Sequence, residues 1–262
     1  GDLRDGITRV NIILFNPDDL KMIKDTPSIR RKMLNIEISG INNEHLLLLT
    51  NYNKVLKQRN AYLKALNKKK SYDDAFLKIL TEQLVELGLK IMWIRTEFIN
   101  NINSYISDIY YEITHKGTLK VVYKSEFINK SKESILKMFE KNISREIFLG
   151  KTIFGIQHDD LEFKIDSEIV KEFSSVGEQK NSIISFKLAE IKNIENKLHK
   201  KPILILDDLF SELDEEKINN ILALIDTDLQ TFITTTEIAY VDEKLLKNAK
   251  KFYVKDGKVE EE

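Results

Sequence analysis

The residues best suited to chemistry in this chain stand together at Asp207-Asp208, two adjacent carboxylates that end the apolar run Pro202-Ile-Leu-Ile-Leu206. An acid at the end of such a run is where a Mg2+-holding aspartate of a phosphate-processing site would stand. The same pair also does nothing more than end a strand in many chains. A second candidate is Ser174-Ser-Val-Gly-Glu-Gln-Lys180, in which a serine and a glycine open a helical pattern. Free N–H groups and the positive end of the helix dipole suit a phosphate there. Ser175 and Glu178 equally form a plain capping box, with Ile183, Ile184, Leu188 and Ile191 as the buried stripe. The third candidate is the hydroxyl pair Thr235-Thr236 after Thr231-Phe-Ile-Thr234. Threonine can hydrogen-bond a phosphate but is no strong base, and sheet propensity accounts for it as well.

The elements that must position these groups follow from periodicity. A run without polar alternation, entered through Pro202, predicts a parallel strand covered on both faces, and ligands bind outside the carboxyl ends of such strands. Ile218, Ile221, Leu222 and Ile225 predict the following helix, capped by Ser211 or Asp214. Further on come a strand, a helix and a closing pair of strands, Phe252-Tyr-Val254 and Val259, joined through Asp256-Gly257. Upstream, Val10 to Phe15 reads as a strand, and Ser28 to about Tyr111 as almost continuous helix. Its two long helices run near Asn43 to Leu66 and from Tyr72 past Ile109, with Asn67-Lys-Lys-Lys-Ser71 as the turn. Strands are expected at Leu119 to Tyr123, Thr152 to Phe154 and Leu161 to Ile165. The fold class is α/β, a parallel sheet with an inserted helical lobe.

Composition narrows the function. The 262 residues, 42% of them hydrophobic, suffice for one or two domains with a real core. There is no cysteine, and the four histidines form no ligand spacing, so thiolate zinc sites and disulfides are excluded. No apolar run approaches a membrane span, and a cytoplasmic location is the default expectation. With 41 basic against 42 acidic residues, bulk charge does not announce a nucleic-acid binder. The best basic candidate is Lys54, Lys57, Arg59, Lys64 and Lys68 to Lys70, which a solvated helix face explains equally well.

The run Asp207-Asp-Leu-Phe-Ser-Glu-Leu-Asp-Glu-Glu-Lys217 closely resembles the Walker B and D-loop segment of the RecF family, DNA-repair ATPases of the ABC/SMC type. The resemblance extends to Phe15-Asn-Pro-Asp-Asp-Leu20, to Thr26-Pro-Ser-Ile-Arg-Arg-Lys-Met-Leu-Asn35 and to Lys57-Gln-Arg-Asn60, in the family's order. Asp25 stands where the family usually has Gly, Met33 where an aromatic is usual, Asn35 where Asp is usual, and Glu178 where Gln is common. Gly155-Ile-Gln-His-Asp-Asp-Leu161 keeps the acids but displaces a histidine. The phosphate loop of such ATPases, Gly-x-x-x-x-Gly-Lys-Ser/Thr, does not occur. Gly150-Lys-Thr152 imitates its end, but a helical pattern precedes it where a strand is needed.

The resemblance implies a carboxy-terminal fragment of an ATP-gated DNA-binding dimer that acts at single-strand gaps and in recombinase loading. Asp207 would hold Mg2+ and Asp208 would polarise the attacking water. Ser175, Gly177 and Gln179 of the signature loop would meet ATP held by the partner protomer, Asp214 would cross the dimer axis, and Thr235 or Thr236 would sense the γ-phosphate. Residues 1–27 would end the amino-terminal ATPase lobe, 28–115 form the helical arm, and 116–262 complete the ATPase domain. The implied partners are single-stranded and gapped DNA, a second copy, and RecR and RecO, with no membrane. Alone, the chain is expected to bind ATP and Mg2+ weakly and to show no turnover. The alternatives are a non-enzymatic interaction module with a vestigial site and another SMC/ABC-type ATPase.

Overall fold

The computed structural model describes residues 11–68, 74–208, 213–236, 247 and 249–261. Its principal sheet has three parallel strands, with β5 (Ile203–Asp207) between β1 (Ile12–Phe15) and β6 (Thr231–Thr234). In register, Ile13, Phe15, Leu204 and Leu206 share one face, and all four are buried. Helix α9 (Val176–Leu198) packs against β1. On the opposite face Ile203 and Ile205 of β5 are half-buried, and among the described residues the flanking Ile12 (54%), Leu14 (40%) and Phe232 (50%) are exposed.

Between β1 and β5 lies the helical part. After the short α1 (Lys21–Lys24), Pro27 occupies the first turn of α2 (Pro27–Ile41), where its missing N–H costs nothing. Asn42 caps α3 (Asn43–Leu66) by accepting from the His45 N–H. The second long helix is interrupted. It runs as α4 (Asp74–Asn103), turns at Ser104-Tyr105, and resumes as α5 (Ile106–Thr114), closed by His115 in the left-handed conformation. The turn between the arms falls partly outside the described residues.

An antiparallel sheet follows, with β2 (Leu119–Lys124) paired to β3 (Asp160–Ile165) and β3 to the short β4 (Glu168–Ile169). Its connection carries α6 (Lys132–Lys141) and α7 (Ile143–Leu149), two helices broken at Asn142. Gly150 closes α7 at φ +61, and so belongs to a helix end and not to a phosphate loop. The strand expected over Thr152 to Phe154 does not form, because these residues satisfy their polar groups elsewhere. The Thr152 N–H donates to Asn60 Oδ1 (2.7 Å) and the Ile153 N–H to Glu146 Oε1 (3.0 Å). The short α8 (Val170–Phe173) leads into α9. Past β5 come α10 (Glu215–Ala223) and a hairpin of β7 (Phe252–Lys255) and β8 (Lys258–Glu261). The hairpin turns at Asp256-Gly257, both with positive φ as a tight right-twisted connection requires. The helix expected between β6 and β7 lies almost wholly outside the described residues.

Candidate functional site

The carboxyl edge of the parallel sheet brings Asp207, Asp208 and Thr234 together. Asp207 is the last residue of β5 and stands opposite Thr234 in the ladder. The Thr234 hydroxyl donates to Asp207 Oδ1 at 2.6 Å. The chain then turns sharply. Asp208 takes φ +51, a left-handed conformation that aspartate tolerates better than most side chains, and its N–H meets both the carbonyl oxygen (3.2 Å) and the hydroxyl (3.1 Å) of Thr234. Both carboxylates are exposed. Thr234 bonds both members of the acid pair, and Thr235 and Thr236, the expected γ-phosphate sensors, follow it directly at this edge. Strand register decides this, and a register count from Pro202 and Thr231 was the available signal.

The amino end of α9 forms the second part. Ser175 is the N-cap, its hydroxyl accepting from the Glu178 N–H (3.3 Å), while Glu178 Oε2 accepts from the Ser175 N–H and hydroxyl, each at 2.9 Å. Those bonds, with Lys116 at 3.6 Å, hold the Glu178 carboxyl below its usual range. Glu178, the acid where the family commonly has glutamine, therefore spends its charge on the loop's own cap. Nothing lies within 4 Å of a Cβ built at Gly177, so the backbone there is open to close approach. Gln179 points the other way. It is buried, and its Nε2 donates to the Ser174 carbonyl at 3.1 Å, which braces the loop from within. Lys180, on the same turn, is lowered by burial and by the neighbouring Lys24, with Asp208 opposing the shift, so this end of α9 lies near the acid pair.

Asp214 caps α10, accepting from the Lys217 N–H at 2.9 Å and pairing with the Lys217 ammonium. These contacts hold its carboxyl below the usual range. Ser211, the other expected cap, falls outside the described residues. Thr235 is half-buried and Thr236 exposed just past β6. Among the described residues no group of three His, Asp or Glu could hold a metal by itself. An exposed acid whose one side-chain hydrogen bond among the described residues comes from a hydroxyl suits a Mg2+ that arrives with phosphate oxygens of its own.

The remaining motif residues converge in the interior. Arg59 is fully buried. Its guanidinium donates to Glu146 Oε2 (2.5 Å), Thr152 Oγ1 (2.8 Å) and Thr81 Oγ1 (3.0 Å), and lies over the Phe139 ring. This removes Arg59 from the basic surface expected on α3, and Lys69 and Lys70 lie outside the described residues. Arg95 joins Asp159 (2.8 Å), the Ile156 carbonyl and Asn35 Oδ1 (2.9 Å), and the Tyr123 hydroxyl donates to the same Asp159 oxygen. Arg30 grips both oxygens of Asp160 at 2.7 Å, and Arg31 reaches the Asp159 carbonyl. Gly155 holds φ +124, where a Cβ would come within 2.4 Å of the Tyr52 hydroxyl. The Pro-x-x-Arg-Arg block and the Gly155–Leu161 block thus form an internal clamp of α2 and α4 on the start of β3, while Arg59-Asn60 ties α3 to α7 and the segment after it.

No protein-family model matches the chain. A DNA replication and repair protein RecF of Ligilactobacillus salivarius is 37% identical over 265 residues, covering 98% of this chain and 70% of the relative. The chain belongs to the RecF family. The RecF of Enterococcus faecalis is 36% identical over 263 residues, again across 70% of its length. Among solved structures, that of the recombination mediator protein RecF-ATPrS in the RecFOR pathway superposes with a TM-score of 0.81 at 27% identity. It covers 96% of this chain and 68% of the other. The RecF-ATP structure matches at the same TM-score, covering 95% and 67%. The fold is therefore that of the RecF-type ATPase, and the chain is a RecF-like recombination-repair protein. A non-enzymatic interaction module with a vestigial site and another SMC/ABC-type ATPase are not favoured by these matches. Among the described residues no helix is long and apolar enough to cross a membrane.

Proposed function

We propose that this chain supplies the Walker B, signature and D-loop half of an ATP-dependent RecF dimer that engages single-stranded and gapped DNA during repair in the cytoplasm, together with RecR and RecO. The observation that carries the reading is the Asp207-Asp208 pair at the carboxyl end of a parallel strand, one acid held by Thr234 and both open to solvent. In this reading residues 1–27 and 116–262 belong to the ATPase domain and 28–115 to the helical arm.

Asp207 and the nucleotide phosphates would share a Mg2+, which when bound neutralises phosphate charge. Thr234 positions Asp207 by occupying one oxygen. Asp208, turned out by its left-handed backbone, accepts a proton from the attacking water. Ser175 and Gly177 offer the open backbone of the α9 terminus to the partner protomer's nucleotide, and Gln179 acts through the loop that it braces. Asp214 keeps its place beside the dimer axis as the cap of α10, and Thr235 or Thr236 meets the γ-phosphate. The phosphate loop, which these 262 residues lack, has to come from a further segment.

The test joins the chain to the phosphate-loop segment of a RecF relative and measures ATP hydrolysis and ATP-dependent dimerisation with and without gapped DNA. Loss of hydrolysis in Asp208→Asn with dimerisation retained is the expected result. A completed protein that neither hydrolyses ATP nor dimerises would overturn the reading.

A further inference from the structure

The two arm helices leave a groove of about 530 Å3 between them near the tip of the arm. One wall is the α3 stripe Gln58, Ala61, Tyr62 and Ala65, and the other is Phe76, Ile79 and Gln83 of α4, with Leu80 at the floor. Phe76 is 45% exposed and Ile79 50%. Tyr62 and Phe76 meet edge to face, with centroids 4.9 Å apart, so the aromatic end of the trough is preformed. Branched and aromatic carbon left half-open in a concave site is the usual ground for a helical peptide.

Charge around the groove is one-sided. From His45 to Lys68, α3 and its cap contain no acid. Lys54, Lys57, Lys64 and Lys68, at spacings of three, seven and four, lie on one exposed stripe next to the groove wall. The row is roughly 21 Å long at 1.5 Å per residue. Among the described residues none of the four forms an ion pair. Among the described side chains, the acids Glu82 and Glu86 of α4 are engaged by a base of another helix, because Glu86 pairs with Lys132 of α6 and Glu82 stands in the field of the same ammonium. An apolar trough with a cation row along one side complements an amphipathic helix with carboxylates along one edge.

We propose that this groove docks an acidic amphipathic helix of a partner protein. Two or three apolar side chains at i, i+3 or i+4 and i+7 fill the trough, and aspartates or glutamates beside them face Lys54, Lys57 and Lys68. The apolar walls favour this occupant over nucleic acid, whose backbone would meet the lysines and leave Phe76 and Ile79 unused. The site is independent of ATP and of the carboxylate edge.

The experiment titrates the chain with a fluorescein-labelled helical peptide of about 16 residues carrying Phe, Ile and Leu at those positions and glutamates along one edge. A lysine-edged version and a labelled oligo-dT run in parallel. The acidic peptide should bind in a salt-sensitive way and the lysine-edged one should not. Ile79→Asp, at a half-exposed position, and Lys57→Glu/Lys68→Glu should each weaken binding by about tenfold or more with unchanged circular dichroism. Ala61→Glu on the facing wall provides a second block should Ile79→Asp fold poorly. Absence of acidic-peptide binding, or binding indifferent to all three variants, would overturn the proposal. So would oligo-dT displacing the peptide from the lysines while ignoring Ile79→Asp, or a loss of self-association in place of peptide binding.

Discussion

Asp159 and Glu146 lie deep in the protein with an arginine against each, whereas Asp207 and Asp208 stand in solvent at the end of β5. The interior acids are surrounded by donors from at least two elements, Glu146 by Arg59 and the Ile153 N–H, Asp159 by Arg95 and Tyr123. Such pairs are costly to desolvate and costlier to break, so they set how the arm meets the sheet more than they add net stability. At the edge, Asp207 is exposed and among the described residues takes one side-chain hydrogen bond, from Thr234, and Asp208 sits on left-handed backbone. The interior acids are enclosed by cations, whereas Asp207 accepts from the Thr234 hydroxyl and Asp208 donates its own N–H to Thr234.

The comparison predicts the largest loss at the interior. Arg59→Met should leave Glu146 buried without its cation and cost about 3–5 kcal/mol in urea unfolding. A cost below about 1 kcal/mol would mean that the clamp relaxes into solvent and that the contrast is false.

Asp160 sharpens it through pH. Burial pushes its carboxyl up, but the Arg30 bonds and the Leu161 N–H outweigh that and hold it below the ordinary value. A folded-state pKa below the unfolded one stabilises above the unfolded pKa, near 3.9, and that stability is lost as pH falls through the folded value. Wild type should therefore exceed Asp160→Asn by about 1.5–3 kcal/mol at pH 7, with the gap closing only as the pH falls below the unfolded value of about 3.9. A constant gap would assign the effect to packing.

Thr234→Val tests the edge. It removes one hydroxyl bond to Asp207 and one to the Asp208 N–H in an exposed setting, so unfolding should change by about 1 kcal/mol. In the completed protein, Mg2+-ATP hydrolysis should fall much further than stability does. Equal losses in both would make Thr234 a structural residue. The smallest effect belongs to Asp208→Gly, which relieves the positive φ. It should raise stability by about 0.5 kcal/mol while abolishing hydrolysis, and a destabilised variant would show that Asp208 is held by contacts stronger than its strain.

Much of this was legible from local pattern. The strand ending in Asp207, the capped starts at Ser175 and Asp214, and the Asp256-Gly257 hairpin depend on residues within a few positions of each other. The misreadings share a cause. Arg59 looked like a surface cation because it sits among lysines on a helix, and only the approach of Glu146, 87 residues away, makes it an interior one. Thr152 to Phe154 looked like a strand because β-branched and aromatic residues favour one, yet Asn60 and Glu146 take their N–H groups. Gln179 Nε2 donates to the carbonyls of Val170 and Ser174, an inward contact that its place in the loop sequence does not reveal.

The sequence by itself determined where helices and strands begin, which carboxylates end an apolar strand, and the family to which these blocks belong. Those properties reside in spacing, capping and side-chain type, which act over one or two turns of chain. Only the tertiary structure decided which charges are buried and which hydroxyl clamps Asp207. Burial, strand register and ion pairing depend on groups brought together from distant parts of the chain, and their energies are defined only once the solvent between them has been removed.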